Sequence, residues 1–356
     1  MVNKRFSAFS RKSLLVRSVP ILLAGCVLLY YIYLKTTIVH QQIFIIDHQS
    51  KYSNGSINGN EETIATGTFG DHNLLAKNGN VSSSNEKGLC PLVSPHLRGE
   101  FKPTHVIPES ISNVEDELKM VEALPALGGS WQPNNCTARH HIAIIVPCHD
   151  RDEHLRALLR HLHPFLQRQQ NSYGIFVVDQ KEDGRPFNKA MIMNAGFAEV
   201  NKTGQFSCFI FHDVDLLPED DRNLYSCADQ PRHIGIAVDK LGYHLPYNTL
   251  IGGVVAFTKS QFERINGFSN LYWGWGGEDD DAAKRIMAAN MKITRWPKYA
   301  RYTMLVHKRR HINPQRLALL GKTKYRYKSD GLNSLKYKRV AFKQNQLFTS
   351  MIFKLP

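Results

Sequence analysis

Three short apolar runs alternate with two helix-like stretches over residues 141–211, and no other feature of this 356-residue chain constrains its fold as tightly. The first run, residues 142–146, is continuously apolar, as a strand buried on both faces must be. RDEHLRALLRHL follows, with Leu155, Leu158, Leu159 and Leu162 on one helical face and Asp152 and Glu153 in the first turn. A strand over 174–178, a helix over 188–200 and a strand over 207–211 complete a β-α-β-α-β series. The expected fold is α/β, a Rossmann-like, mostly parallel twisted sheet flanked by helices. Ligands of such sheets bind beyond the carboxyl ends of the strands.

Chemistry-bearing residues fall just past those ends: Pro147 to Arg151 after the first strand, and His212, Asp213, Val214 and Asp215 after the third. Neither a G-x-G-x-x-G nor a P-loop follows the first strand, so dinucleotide and P-loop chemistry lack their signatures. On extended chain the i, i+2 spacing of Asp213 and Asp215 aims both carboxylates the same way. Paired oxygen donors there suit a divalent cation bridging to phosphates, although two acids in a solvated loop look the same in sequence. Met304 and His307 end another apolar stretch. An imidazole joining Asp215 favours Mn²⁺ over Mg²⁺ or Ca²⁺, whereas each of the two alone reads as core or surface.

The densest carboxylate run is YWGWGGEDDD, residues 272–281. Gly274, Gly276 and Gly277 allow a mobile loop or a tight turn. Glu278 to Asp281 then open a helix, where dipole complementation accounts for one or two acids but not four. Aromatic rings beside carboxylates suit a sugar, the ring stacking on C–H faces and the acids taking hydroxyls. A carboxylate beside a bound hydroxyl also serves as a general base.

Residues 18–34, SVPILLAGCVLLYYIYL, are uncharged and mostly apolar, within the range for a membrane span once the flanks are counted. Five basic residues precede them and Lys35 follows, which leaves residues 1–17 as a cytosolic tail. A cleaved signal peptide is the rival reading, but no clean small-x-small site follows the run. Residues 35–88, rich in Asn, Ser, Gly and Thr, read as a flexible stem, and 89–356 as a lumenal catalytic domain. Sequons at Asn54, Asn80, Asn135 and Asn201 agree with a lumenal side. Beyond Cys26 in the anchor stand Cys90, Cys136, Cys148, Cys208 and Cys227, an odd number, so at least one stays outside any pairing. Cys148, ending an apolar strand, is the choice for it, while spacing leaves the pairing open. The net charge of +14 does not indicate nucleic acid, because much of the excess lies in the tail and in 308–310 and 322–338. Those charges instead attract anionic substrates.

FNKAMIMNAGF, FHDVDLLP, PRHIGIAVDKLGYHLPY, GGVVAFTKSQFERINGF, YWGWGGEDDD, MLVH, NPQR and DGLNSLKY occur in that order. Together they resemble the β-1,4-galactosyltransferases, glycosyltransferase family 7, over about residues 90–337. The resemblance implies a single-pass type II Golgi membrane protein with a GT-A lumenal domain. It implies a UDP-sugar donor, Mn²⁺, and a glycan acceptor ending in N-acetylglucosamine on glycoprotein or glycolipid. By motif match, Asp215, Met304 and His307 are metal ligands and Asp279 is the base. Glu278, Asp280, Tyr247 and Arg316 fall at acceptor positions. Pro147, Arg151, Phe187, Lys189, Val214, Lys240, Leu250 and Trp275 fall at donor positions. The family's disulfides map to Cys90–Cys136 and Cys208–Cys227. A lid carrying Trp275 and a longer loop over 308–323 are expected to exclude water. An accessory membrane protein or a homodimer is compatible with the resemblance; a nucleic-acid partner is not.

Three departures stand out. PCHDR replaces the Pro-Phe-Arg-Asn-Arg of many members, so Cys148 and His149 are not expected to supply the same stacking and charge. FNKA replaces FNRA, a point charge for a fork. In PYNTLIGG, Leu250 stands where galactose-transferring vertebrate members have tyrosine, and members with Leu or Ile there, mostly invertebrate, transfer N-acetylgalactosamine. The sequence expectation is thus UDP-GalNAc as donor in β1,4 linkage. A plain UDP-Gal-dependent transferase is the alternative, and a membrane-anchored lectin without turnover the alternative of another class.

Overall fold

The structure, a computed structural model, describes residues 87–296, 298–307 and 311–356. The predicted anchor, nearly all of the stem and the sequons Asn54 and Asn80 lie outside them. Among the described residues no helix is long and apolar enough to cross a membrane.

Helix α1 (Ile111–Met120) and strand β1 (Ser130–Trp131) precede the alternating core. The core runs β2 (His141–Pro147), α2 (Asp152–Arg168), β3 (Ser172–Gln180), α3 (Lys189–Asn201), β4 (Cys208–His212) and β5 (Leu216–Pro218). Short β6 (Arg232–His233) and β7 (Ala237–Val238) lead to β8 (Val254–Thr258) and α4 (Lys259–Arg264). Then come α5 (Glu278–Ala288), β9 (Arg301–Met304), α6 (Arg316–Gly321) and α7 (Thr323–Arg326). A hairpin of β10 (Lys338–Gln344) and β11 (Thr349–Lys354) closes the chain.

All five predicted core elements form: β2 and β3 extend past their expected ends, α2 runs on to Arg168, and α3 and β4 are shifted by one residue at the same length. In β2, Ile142, Ile144 and Val146 join the cluster beneath α2, while Ala143 and Ile145 join the cluster containing α3 and α5. That two-sided burial is why the strand reads as an unbroken apolar run. Helix α3 is buried nearly all round, so it carries no polar stripe to mark it.

The sheet is not mostly parallel. Its order is β10-β11-β3-β2-β4-β8-β6, with β1 paired to β3. Neighbours β11, β3, β2 and β4 run parallel, while β10, β1, β8 and β6 pair antiparallel. Only the crossovers through helices enforce parallel pairing; the short β10–β11 connection turns the chain back on itself. A second sheet, β5-β9-β7, stands beside the first and gathers the residues that follow β4. The predicted loop over 308–323 contains α6, and 308–310 lie outside the described residues.

Candidate active site

The glycines of YWGWGGEDDD are required by the turn. Gly274, Gly276 and Gly277 have φ of 82°, 101° and 95°, and a Cβ on Gly277 would lie 2.7 Å from the Tyr272 ring. Gly277 caps α5 without a side-chain bond, so four acids enter the first helical turn together. They have different neighbours. Glu278 and Asp279 face Lys189, whose Nζ lies 3.6 Å and 4.0 Å from their carboxylates. Asp280 Oδ1 accepts from the Tyr247 hydroxyl at 2.7 Å. Asp281 is fully buried, 2.5 Å from Arg285 Nε, and serves the fold.

Lys189 opens α3 just past the β3 end and also meets Asp213 at 2.7 Å. Burial works against its charge, but Asp213, Asp279 and Glu278 outweigh that and hold the ammonium protonated. Desolvation pushes Asp279 up to about 7; Lys189 opposes the rise, and Glu278, Asp213 and Asp280 add to it. A carboxylate poised there suits proton acceptance near neutral pH.

The paired use of Asp213 and Asp215 is not found. Residues 214–215 form a turn rather than extended chain, and the two carboxylates take different partners. Asp213 pairs with Lys189, whereas Asp215 Oδ2 lies 3.0 Å from His307 Nε2. Burial alone would raise Asp215, yet the hydrogen bond and charge of His307 hold it below the ordinary carboxylate range. Met304 stands opposite Leu216 in the β5–β9 register, and Leu305 N–H donates to the Asp215 carbonyl at 2.8 Å. Asp215 and His307 thus meet, with Met304 on the neighbouring strand β9; O, N and S donors of these types would suit a first-row transition ion better than a harder cation. Among the described residues no group of three or more His, Cys, Asp or Glu is placed to hold a metal. His154, nine-tenths buried in the first turn of α2, sits behind these donors with Nε2 3.2 Å from the Val306 carbonyl.

On the donor side His149 departs from expectation. Its imidazole stacks parallel on Phe187, centroids 4.9 Å apart, and its Nδ1 lies 2.8 Å from Asp179. A flat ring thus stacks there after all, oriented by a carboxylate on the neighbouring strand. Pro147 ends β2, Arg151 precedes α2, and Val214 is buried in the turn between the two acids. Leu250 is half-buried, and Lys240 lies exposed in the helical turn Asp239–Leu241. Trp275 is exposed, and its backbone pairs with the segment beyond the undescribed residues through His311 O and Asn313 N, both at 2.9 Å. Arg316 packs its Cδ over Gly276.

Disulfides join Cys90 to Cys136 and Cys208 to Cys227, and Cys148 stays outside both. Of the described sequons, Asn135 is exposed and Asn201 half-buried. Sequence reasoning missed the stacking of His149 and the position of His154. The rule about strand ends covers both, since each lies within seven residues of the end of β2.

This GT-A-like mixed sheet, with its acids beyond parallel strand ends, fits a glycosyltransferase. The chain belongs to glycosyltransferase family 7. The model for the N-terminal region of glycosyl transferase group 7 matches residues 90–228, and that for the N-terminal domain of galactosyltransferase matches 232–308. Human beta-1,4-galactosyltransferase 4 is 44% identical over 266 residues, 74% of this chain and 76% of that protein. Beta-1,4-galactosyltransferase 3 of Cricetulus griseus is 46% identical over 270 residues, 74% of this chain and 67% of its own. The catalytic domain of Drosophila beta1,4-galactosyltransferase 7, solved with xylobiose, superposes with a TM-score of 0.54 at 29% identity, covering 61% of this chain and 94% of that one. A mutant of that enzyme, solved with manganese, UDP-Gal and xylobiose, gives 0.53 at 30% identity.

Proposed function

We propose that the chain is an inverting β-1,4-galactosyltransferase that takes galactose from UDP-Gal and adds it to a terminal N-acetylglucosamine. One observation carries this: in a family 7 domain, Glu278, Asp279 and Asp213 converge on Lys189 at the ends of the parallel strands. The named relatives support galactose as the sugar. Manganese and UDP-Gal in the Drosophila complex support a divalent cation and a uridine-diphosphate donor. Asp215, Met304 and His307 would hold the cation. When bound, it would stabilise the diphosphate as it leaves.

Asp279 accepts the proton of the acceptor 4-hydroxyl as that oxygen bonds to the anomeric carbon, and the bond to the diphosphate breaks with its electron pair leaving on UDP. Glu278, Asp280 and Tyr247 orient the acceptor, with Arg316 beside the Trp275 loop. Stacked His149 and Phe187 offer an aromatic surface for the base, and Lys189 balances the clustered acids. Trp275 covers the donor and excludes water. The reading includes a Golgi lumenal setting behind the 18–34 anchor and the 35–88 stem.

A second reading, UDP-GalNAc as donor, is favoured by Leu250. Leucine brings no hydroxyl to the sugar and leaves room that tyrosine would fill. A single pocket change of this kind shifts preference by about 1–3 kcal/mol. The test supplies the purified protein with Mn²⁺, an N-acetylglucosamine-terminated acceptor and each donor in turn. Faster transfer from UDP-Gal is the expected outcome. Faster transfer from UDP-GalNAc, reversed by Leu250→Tyr, would establish the second reading, and acceptor binding without transfer from either donor would leave a lectin.

A further inference from the structure

The irregular segment 247–253 touches three parts of the site at once. Leu250 belongs to the proposed donor wall. A Cβ on Gly252 would lie 2.6 Å from Asp279 Oδ2, so this backbone lies directly against the base. The Gly253 carbonyl accepts the Asp213 N–H at 2.8 Å, with φ at 88°. Whatever fixes this segment fixes the spacing between donor wall and base.

Two side chains from elsewhere in the sequence take its carbonyls. Arg295 Nη2 donates to Asn248 O at 2.9 Å and to Leu250 O at 2.6 Å. His233 Nε2 lies 2.8 Å from Gly252 O. Arg295 Nε in turn lies 3.3 Å from His233 Nδ1. Only one protonation pattern satisfies the set. His233 is fully buried, and burial lowers it to about 4, so the ring is neutral. Its Nε2–H donates to Gly252, and the Nδ1 lone pair accepts from Arg295. The base of this clamp is anchored too. His233 N–H donates to Thr294 O and Thr294 N–H to Pro231 O, both at 2.9 Å, and the Arg232 guanidinium stacks 3.5 Å over Trp296.

We propose that Arg295 and His233 are positioning residues that set donor-sugar selectivity by clamping 248–252 against Asp279. The inference rests on the proposed donor role of Leu250, not on which sugar is preferred. A fork donating to two carbonyls and one ring nitrogen fixes both spacing and angle, which an ammonium cannot do. With the clamp loosened, the wall relaxes and the two donors are distinguished less well, whichever the wild type favours.

The test compares wild type with Arg295→Lys, His233→Leu and His233→Gln, reading kcat/KM for UDP-Gal and UDP-GalNAc, calorimetric affinity for both donors and for UDP, and melting temperature. Arg295→Lys and His233→Leu should move the donor ratio toward unity by about tenfold, the scale at which one methylene-sized displacement is felt in a pocket. UDP affinity should stay unchanged. His233→Gln, which keeps one donor and one acceptor, should hold the ratio within about twofold of wild type. A proportional loss with both donors would overturn the proposal, as would a glutamine variant that behaves like leucine. A wild type that prefers UDP-GalNAc sinks only the galactose reading, since the ratio still closes. If no donor turns over, the calorimetric donor ratio decides in the same way.

Discussion

Lys189 sets one positive charge against three carboxylates, at 2.7, 3.6 and 4.0 Å. A unit charge 4 Å away is worth about 1 kcal/mol in water and about 4 at a partly buried site. Removing it therefore raises the Asp279 pKa by about one to three units, since losing a neighbouring cation always favours the neutral carboxyl. Wild-type kcat/KM should fall on the acid side of about 7, where Asp279 titrates. In Lys189→Met that limb should move to higher pH, and in Lys189→Arg it should stay near its wild-type position. A pH–rate profile of the three proteins decides; an unmoved limb in the methionine variant would show that the lysine does not govern the base. At this scale much was legible. Asp279 and Lys189 stand in contiguous motifs, which sequence reading captures. Asp213 was misread because its pairing with Asp215 assumed extended backbone, and the turn at 214–215 appears only once β5 has paired with β9. Arg295 carried no signal, because what it holds lies 45 and 47 positions away.

In α5 the four acids divide by helical position. Glu278, Asp281, Ala282 and Arg285 form the inward face, at i, i+3, i+4 and i+7. Asp281 and Arg285 are both fully buried and meet at 2.5 Å. Arg326 joins from α7 at 2.5 Å, Asp330 bonds both arginines, and Thr323 and Tyr272 donate to the same Asp281 oxygen at 2.7 and 3.1 Å. This network fastens α7 beneath the catalytic turn. Breaking a buried pair by removing one partner typically costs about 3–5 kcal/mol, because the other charge stays buried. Asp281→Asn should therefore lower the melting temperature by many degrees and lose activity through unfolding. Asp280→Asn should melt like wild type and weaken acceptor binding alone. Thermal melts with acceptor titrations test the pair; equal stability of the two variants would contradict this division. The sequence contained the clue in the i, i+4 spacing of Asp281 and Arg285, but four adjacent acids read as one motif until a helix separates their directions.

Across the whole molecule, the resemblance stops near Tyr337 and the matched family models stop at 308, yet the sheet does not. The last strand, β11, lies inside it, parallel to β3 and antiparallel to β10. Its alternating Thr349, Met351 and Phe353 are buried, as are Leu347 and Leu355 on either side. The fully buried His163 of α2 has Nε2 2.9 Å from the Leu347 carbonyl. Sequence reading passed over this hairpin for a physical reason: every residue of β10 is exposed, so that strand lacks the apolar alternation that marks the others. Burying Leu347, Met351, Phe353 and Leu355 contributes about 1.5–3 kcal/mol each. Their sum, about 6–12 kcal/mol, rivals the whole stability of an ordinary domain. Deleting the hairpin would also leave the N–H and C=O groups of residues 176–180 on the β11 side of β3 unpaired, open to association with other chains. A chain ending at residue 337, although it keeps every residue assigned here to the active site, should therefore aggregate, with no cooperative melt and no UDP-dependent stabilisation. A soluble product melting within a few degrees of the full chain would show instead that β3 tolerates an open edge and that the catalytic frame ends where the family's motifs do.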